Sequence, residues 1–418
     1  MPRRLGTLLL LISAAVAVAD EGHDLGGHTK LRAIGTTFPA DSAFREVAGA
    51  SAIDVEGDLR LNWTARRGRW TFNAAYQLFG LYGGRIEYTR DLPPGGEIFV
   101  RRFPEDKRRL FDLTKVMHDR GRSAWLHRLD RIWAGYSSEK TVVRLGRQAV
   151  SWGNGLFFTP MDLVNPFDPA AIDTEYKPGD DMLYVQYLRD NGDDVQAAAV
   201  VRRGLVGGDV DAGASALALK YHGIFGETEY DVLIAKNYDD TVLAIGSVRS
   251  FGGAIWRGDV VVTDTVNHTR IQVVTNLSYS WTWAGKNVSG AFEYYFNGFG
   301  QRAGRYDLLS LATNADLIAY LSRDQLFTLG RNYMAGSVSI ELSALWRLTP
   351  TVFANLDDSS ALMQWITQYS LSDNVVFLGS LNVPLGRNGT EFGGIASGID
   401  GLFLSSGAGI FAQLAYYF

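Results

Sequence analysis

Asp54-Val55-Glu56-Gly57-Asp58-Leu59-Arg60-Leu61-Asn62-Trp63-Thr64-Ala65-Arg66 decides the fold. Val55, Gly57, Leu59, Leu61, Trp63 and Ala65 form one alternating set, and every residue of the other set except Asn62 and Thr64 is charged. A period of two belongs to a β-strand. A water-soluble sandwich would turn the charged face to solvent. A membrane barrel turns it into the lumen and gives the Leu/Trp face to lipid.

The neighbouring sequence favours the barrel. After a turn at 65–68, Trp70, Phe72, Ala74, Tyr76 and Leu78 oppose Thr71, Asn73, Ala75 and Gln77. The pattern recurs in segments of roughly ten residues, the length of a tilted membrane strand. They run from 28–38 to 407–418 and include 141–152, 333–348 and 350–356. The count predicts an all-β transmembrane antiparallel barrel of about eighteen strands, with sixteen as the alternative. Placing both termini in the periplasm leaves the short turns at 66–69, 138–140 and 191–194 inside. The long stretches 83–123, 153–181, 298–332 and 386–406 then lie outside, as such barrels show.

Both ends of the chain agree. Residues 1–19 read as a secretory signal peptide, with Arg3 and Arg4, an apolar Leu5–Ile12 stretch and the Ala17-Val18-Ala19 cleavage pattern. Residues 20–418 then form one outer-membrane barrel. The last strand carries Ile410, Ala412, Leu414, Tyr416 and Phe418 on one face, which resembles the terminal signal that outer-membrane barrels present to the barrel-assembly machinery. Composition removes other classes. A mean hydropathy of −0.04 excludes a bundle of membrane helices. No cysteine is present, and a net charge of −5 gives no reason to expect nucleic acid.

The most distinctive run is Val143-Arg144-Leu145-Gly146-Arg147-Gln148-Ala149-Val150-Ser151-Trp152-Gly153, continuing to Pro160-Met161-Asp162 and Asn165-Pro166. This "GRQ…WG" strand followed by a "P-x-D…NP" loop resembles a group of proteobacterial outer-membrane barrels akin to alginate-export and other porin-like proteins. The similarity extends to 324–333 and 337–346. It implies a channel in the bacterial outer membrane, passing small solutes or an extended polymer.

The segment 153–179 is too apolar for a solvated loop. Phe157, Phe158, Met161, Leu163, Val164 and Phe167 need burial, and three prolines stiffen the path. It is expected to fold back into the lumen, with a lid across the barrel mouth or a structured external turn as the alternatives. Arg128, Asp130, Arg131, Arg144, Arg147, Trp152, Asp162 and Asn165 are therefore the candidate pore and constriction residues. Arg128 and Arg131 have opposite parity, so a bulge or a position above the bilayer must accommodate one of them. These charges read either as a constriction that selects permeants by sign or as ion-pair struts in the wall.

Residues 306–326 show helical spacing and predict a short helix in or over the pore. The basic 83–123 loop, with Arg101, Arg102, Lys107, Arg108 and Arg109, suits either solvent or anionic lipopolysaccharide among the outer-membrane lipids. No catalytic triad, metal-ligand spacing or cofactor motif is found, so no enzyme, metal or cofactor is expected. A loop-occluded barrel serving as scaffold or receptor for an envelope partner is the alternative to a channel.

Overall fold

The computed structural model describes residues 22–90, 103–204, 208–302 and 304–418; the signal peptide, Arg101 and Arg102 lie outside them. Its main sheet has nineteen strands. One of them, Thr114–Arg120, pairs only with Ser123–Ser137. The other eighteen close into an antiparallel barrel through pairing of the first strand with the last, from His28↔Tyr417 to Thr36↔Gly409.

The first half comprises β1 (His23–Thr37), β2 (Ser51–Arg67), β3 (Trp70–Gly83), β4 (Ser123–Ser137), β5 (Thr141–Gln148), β6 (Asp180–Leu188), β7 (Asp194–Val200), β8 (Ala216–Phe225) and β9 (Thr228–Asn237). The second comprises β10 (Asp240–Phe251), β11 (Ala254–Asp264), β12 (Thr269–Trp283), β13 (Lys286–Asn297), β14 (Asn332–Ser343), β15 (Trp346–Asn355), β16 (Ser360–Ser372), β17 (Val375–Leu385) and β18 (Gly409–Tyr417). One rim has only tight connections, such as 68–69, 138–140, 252–253 and 284–285. The opposite rim carries the long segments 84–122, 149–179, 298–331 and 386–408.

Burial follows the alternation with its soluble sense reversed. Val55, Trp63, Leu145, Leu183, Leu219, Ile234 and Ile245 are exposed on the outer surface. Their neighbours Asp54, Asp58, Arg60, Lys220, Asp231 and Asp259 are buried inside. Lipid covers the first set, and the lumen takes the second.

Of the two alternatives for Arg128 and Arg131, the chain takes the bulge, at Asp130. Pairing passes from Ala75↔Arg131 to Tyr76↔Leu129, which leaves Asp130 unopposed. Trp125 and Ile132 both stay exposed, although their numbers differ in parity. Arg128, Asp130 and Arg131 can therefore all face inward. On β5, Gly146 adopts φ 125° and breaks the alternation a second time, so Arg144 and Arg147 both leave the lipid face.

Three expected boundaries are corrected. The 141–152 strand ends at Gln148, where the chain turns into the lumen. The 333–348 strand ends at Ser343, and the turn lies at 344–345 instead of 349. Pro350 sits inside β15, paired with Trp365; on its other side the β14 ladder has no Val338–Pro350 rung, because proline has no N–H to give. The single helix over 306–326 is two, α1 (Leu308–Ala312) and α2 (Ala315–Ser322). Asn314 separates them by capping the Leu317 N–H.

Gly146→Ala should destabilise the barrel by about 1–3 kcal/mol, through the strained φ and collision of the new Cβ with the Ile132 carbonyl. The check is the folded fraction by heat-modifiable migration. Wild-type abundance of folded protein would show that this break is dispensable.

Candidate functional site

After Gln148 the chain leaves the wall and does not return to it until Asp180. The first part of this loop is held by apolar packing. Val150, Trp152, Met161, Leu163 and Val164 are buried together against inner-wall residues that include Met182, Ala198, Ala218, Leu233, Ala244 and Val261. The small wall residues leave room for the large loop residues. Each fully buried aliphatic side chain contributes roughly 1.5–3 kcal/mol, so the inward position has a strong driving force.

Carboxylates on one wall then hold the loop backbone. Asp259 on β11 accepts the Asn154 N–H at 2.7 Å and its side-chain amide at 2.7 Å. Glu293 on β13 accepts the successive N–H groups of Leu156, Phe157 and Phe158 at 2.6, 3.0 and 2.7 Å. Asn276 joins the two parts, donating to the Asn154 carbonyl and to Glu293, each at 3.0 Å. Phe158 stacks on Tyr295 with ring centroids 4.6 Å apart. Consecutive N–H groups converging on one anion form a nest, here filled by the barrel's own side chain.

Across the barrel the polarity reverses. Gln364 on β16 donates to the Ala170 carbonyl at 2.9 Å. Asp173 accepts from Lys30 at 2.7 Å and Arg32 at 3.0 Å, both on β1. Glu175 pairs with Lys30 at 2.6 Å and accepts from the Tyr417 hydroxyl at 2.9 Å. The Arg60 guanidinium lies over the Tyr176 ring at 4.1 Å. Burial alone would raise the Asp173 carboxyl, but Lys30 and Arg32 hold it below the ordinary range. The loop thus spans the lumen between an acidic wall and a basic one.

The predicted site residues fall into four groups. Asp130 collects Arg60 at 2.9 Å, Arg131 at 2.8 Å and Arg128 at 3.4 Å. Arg144 stands apart, with its guanidinium over the rings of Tyr184 at 4.6 Å and Trp133 at 5.6 Å. Arg147 is fully enclosed, bound to Asp106 at 2.7 Å and Asp181 at 2.8 Å. Burial acts to raise the Asp106 carboxyl, but Arg109 and Arg147 bring it below its usual range. Trp152, Asp162 and Asn165 belong to the loop itself. Trp152 donates to Gln196 at 2.8 Å, Asp162 accepts from Lys177 at 2.5 Å, and Asn165 donates to the Pro178 carbonyl at 3.3 Å. The anchors Lys30, Arg32, Asp259 and Glu293 were not among the predicted site residues. Each sits at an ordinary inward position with nothing local to mark it.

Over the outer mouth, α1 and α2 pack in a small apolar cluster that includes Phe299, Tyr306, Leu317 and Leu329. Glu391 fastens this cap to the strand ends. It accepts from the Tyr333 hydroxyl at 2.5 Å, the Asn355 amide at 2.7 Å and the Leu329 N–H at 3.0 Å. Burial pushes its carboxyl up to about 7.

No protein-family model and no curated protein matches the chain. Solved structures do. OccAB2 from Acinetobacter baumannii shares 8% identity over 95% of this chain and 98% of that one, with a TM-score of 0.53. OccD3 (OpdP) from Pseudomonas aeruginosa shares 10% over 95% and 91%, also at 0.53. Wzi from Escherichia coli, a carbohydrate-binding barrel involved in group 1 capsule assembly, shares 10% over 98% and 87%, at 0.50. These likenesses establish the fold of a bacterial outer-membrane, porin-like barrel.

Glu293→Ala removes the acceptor for three loop N–H groups. Bonds to a charged group contribute about 1.5–3 kcal/mol each, so a loss of at least about 3 kcal/mol is expected. Urea unfolding of the barrel and protease sensitivity between 153 and 179 report it; an unmoved midpoint with an uncut loop would contradict the anchor. Glu391 predicts a pH effect. Its carboxyl titrates near 7 in the folded barrel against 4.5 in the open chain. The folded state therefore holds a proton that the unfolded chain has released across this window. Stability should fall by roughly 3 kcal/mol as pH rises through it. Glu391→Gln should flatten that slope, measured as unfolding midpoint against pH.

Proposed function

We propose that the protein is an outer-membrane channel whose 149–179 loop sets the bore. The observation that carries this reading is the attachment of one loop to both walls, at Asp259 and Glu293 and at Lys30 and Arg32. A barrel of this strand number encloses an aqueous lumen unless loops fill it. A chain stretched from wall to wall divides that lumen into narrow passages, which suits small solutes better than an extended polymer. Arg131 and Arg144, which keep partial exposure, are the wall charges available to act on permeants, while Arg128 and Asp130 are buried in their ion pair. Arg147, with both its carboxylate partners in place, acts as a strut.

The second reading is an occluded barrel working as a receptor or scaffold. What favours it is the apolar packing that clamps the first part of the loop, from Val150 to Val164, against the wall.

Single-channel recording in planar bilayers separates the two. Replacing 157–169 by a short Gly/Ser turn should raise conductance severalfold in a folded barrel, from a wild type that already conducts. A silent wild type opened by the same change would favour the occluded barrel. Equal conductance in both would remove the loop from the conduction path.

A further inference from the structure

The outer rim holds a second polar feature, away from the in-folded loop. The segment before the Thr114–Arg120 strand is zipped to the start of the 201–215 loop. The Arg203 N–H donates to the Arg108 carbonyl at 2.9 Å, and Arg109 forms a bridge with Arg202. This backbone pairing brings Arg108 and Arg203 to one pocket, with α2 on its far side. The pocket has a volume of about 360 Å³ and is lined by Arg108, Arg203, Asp211, Tyr238, Ser322 and Arg323, among others. That lies at the low end of the roughly 300–1,000 Å³ typical of small-ligand sites.

The charge there is not balanced as it is among the buried arginines inside the barrel. Arg60, Arg128, Arg147 and Arg202 each have a carboxylate partner. In the pocket, Arg323 has Asp240 at 3.0 Å. Among the described residues, the Arg203 guanidinium has only the carbonyls of Leu110 at 2.8 Å and Gly208 at 2.7 Å. Among the described residues, neither Arg108 nor Arg203 is ion-paired. The one lining acid, Asp211, accepts from the Gly213 N–H at 2.8 Å. Tyr238, at φ 53°, carries the Arg202 guanidinium at 4.6 Å and that of Arg323 at 4.4 Å, which sets Arg323 against the pocket.

Like charges held together by backbone pairing repel unless an anion lies between them. Guanidinium groups meet the oxygens of carboxylate and phosphate in planar, paired hydrogen bonds. We propose that this outer pocket binds an oxyanion, a carboxylate or phosphate group presented from outside the cell. The site goes beyond the channel reading and does not depend on conduction.

The experiment is calorimetric titration of the full-length folded barrel with inorganic phosphate and with citrate, followed by binding to immobilised lipopolysaccharide. Saturable binding that weakens at least tenfold in Arg108→Gln and in Arg203→Gln supports the site. Arg108→Gln is the variant least able to disturb folding, since no side-chain partner among the described residues is lost; heat-modifiable migration verifies both. Loss confined to the lipopolysaccharide arm assigns the oxyanion to lipid phosphate, and loss with phosphate or citrate assigns it to a free solute. No saturable binding in any arm, or equal affinity in wild type and folded variants, overturns the proposal.

Discussion

The fixed point of this structure is the Glu293 carboxylate, which accepts three consecutive backbone N–H groups of a loop that has no strand to pair with. A segment drawn into a barrel loses the water that would satisfy its backbone, and each unmet N–H costs free energy on the scale of a lost hydrogen bond. The inner wall supplies the acceptors instead. Asp259 and Asn276 extend the same arrangement to Asn154. With these groups in place, the apolar side chains before and after Asn154 can pack inside the barrel, and the chain can cross to the opposite wall.

The loop and the wall are matched in charge as well as shape. Near 154–158 the loop offers N–H groups, and the wall there is acidic. Near 173–175 the loop offers carboxylates, and the wall there is basic. A shift of the loop along its path would set like charges against one another, so electrostatics fixes its position while apolar burial supplies most of the driving force. The arginine clusters follow a similar rule. Asp130 holds three guanidiniums because the bulge turns it and Arg131 inward together, and Arg147 draws Asp106 down from an outer segment.

The barrel was legible in the alternation of Asp54–Arg66 and its repeats, because lipid and lumen impose opposite demands on successive residues. The bulge could be anticipated from the parity of Arg128 and Arg131. The inward loop could be anticipated from its apolar residues and prolines. Its anchors could not, since Glu293 and Lys30 meet it across more than a hundred residues of chain, and an acid at an inward strand position looks the same whether it binds water or a loop. The apolar inner wall was also hidden. Ala198, Ala218 and Ala244 are small enough to read as ordinary pore lining until the loop is placed against them. The helix break at Asn314 and the strand position of Pro350 depend on local caps and partners that periodicity does not record.

Placement of the loop inside the lumen, against the far wall, is the central claim, and cross-linking tests it most directly. The chain has no cysteine, so a single engineered pair can be read without background. Ala170→Cys with Gln364→Cys places thiols on two residues joined by a 2.9 Å hydrogen bond. A short bifunctional thiol reagent should join them in intact outer membranes and change the migration of the unfolded chain. Failure to cross-link, with both thiols open to a bulky reagent added from outside, would contradict the account.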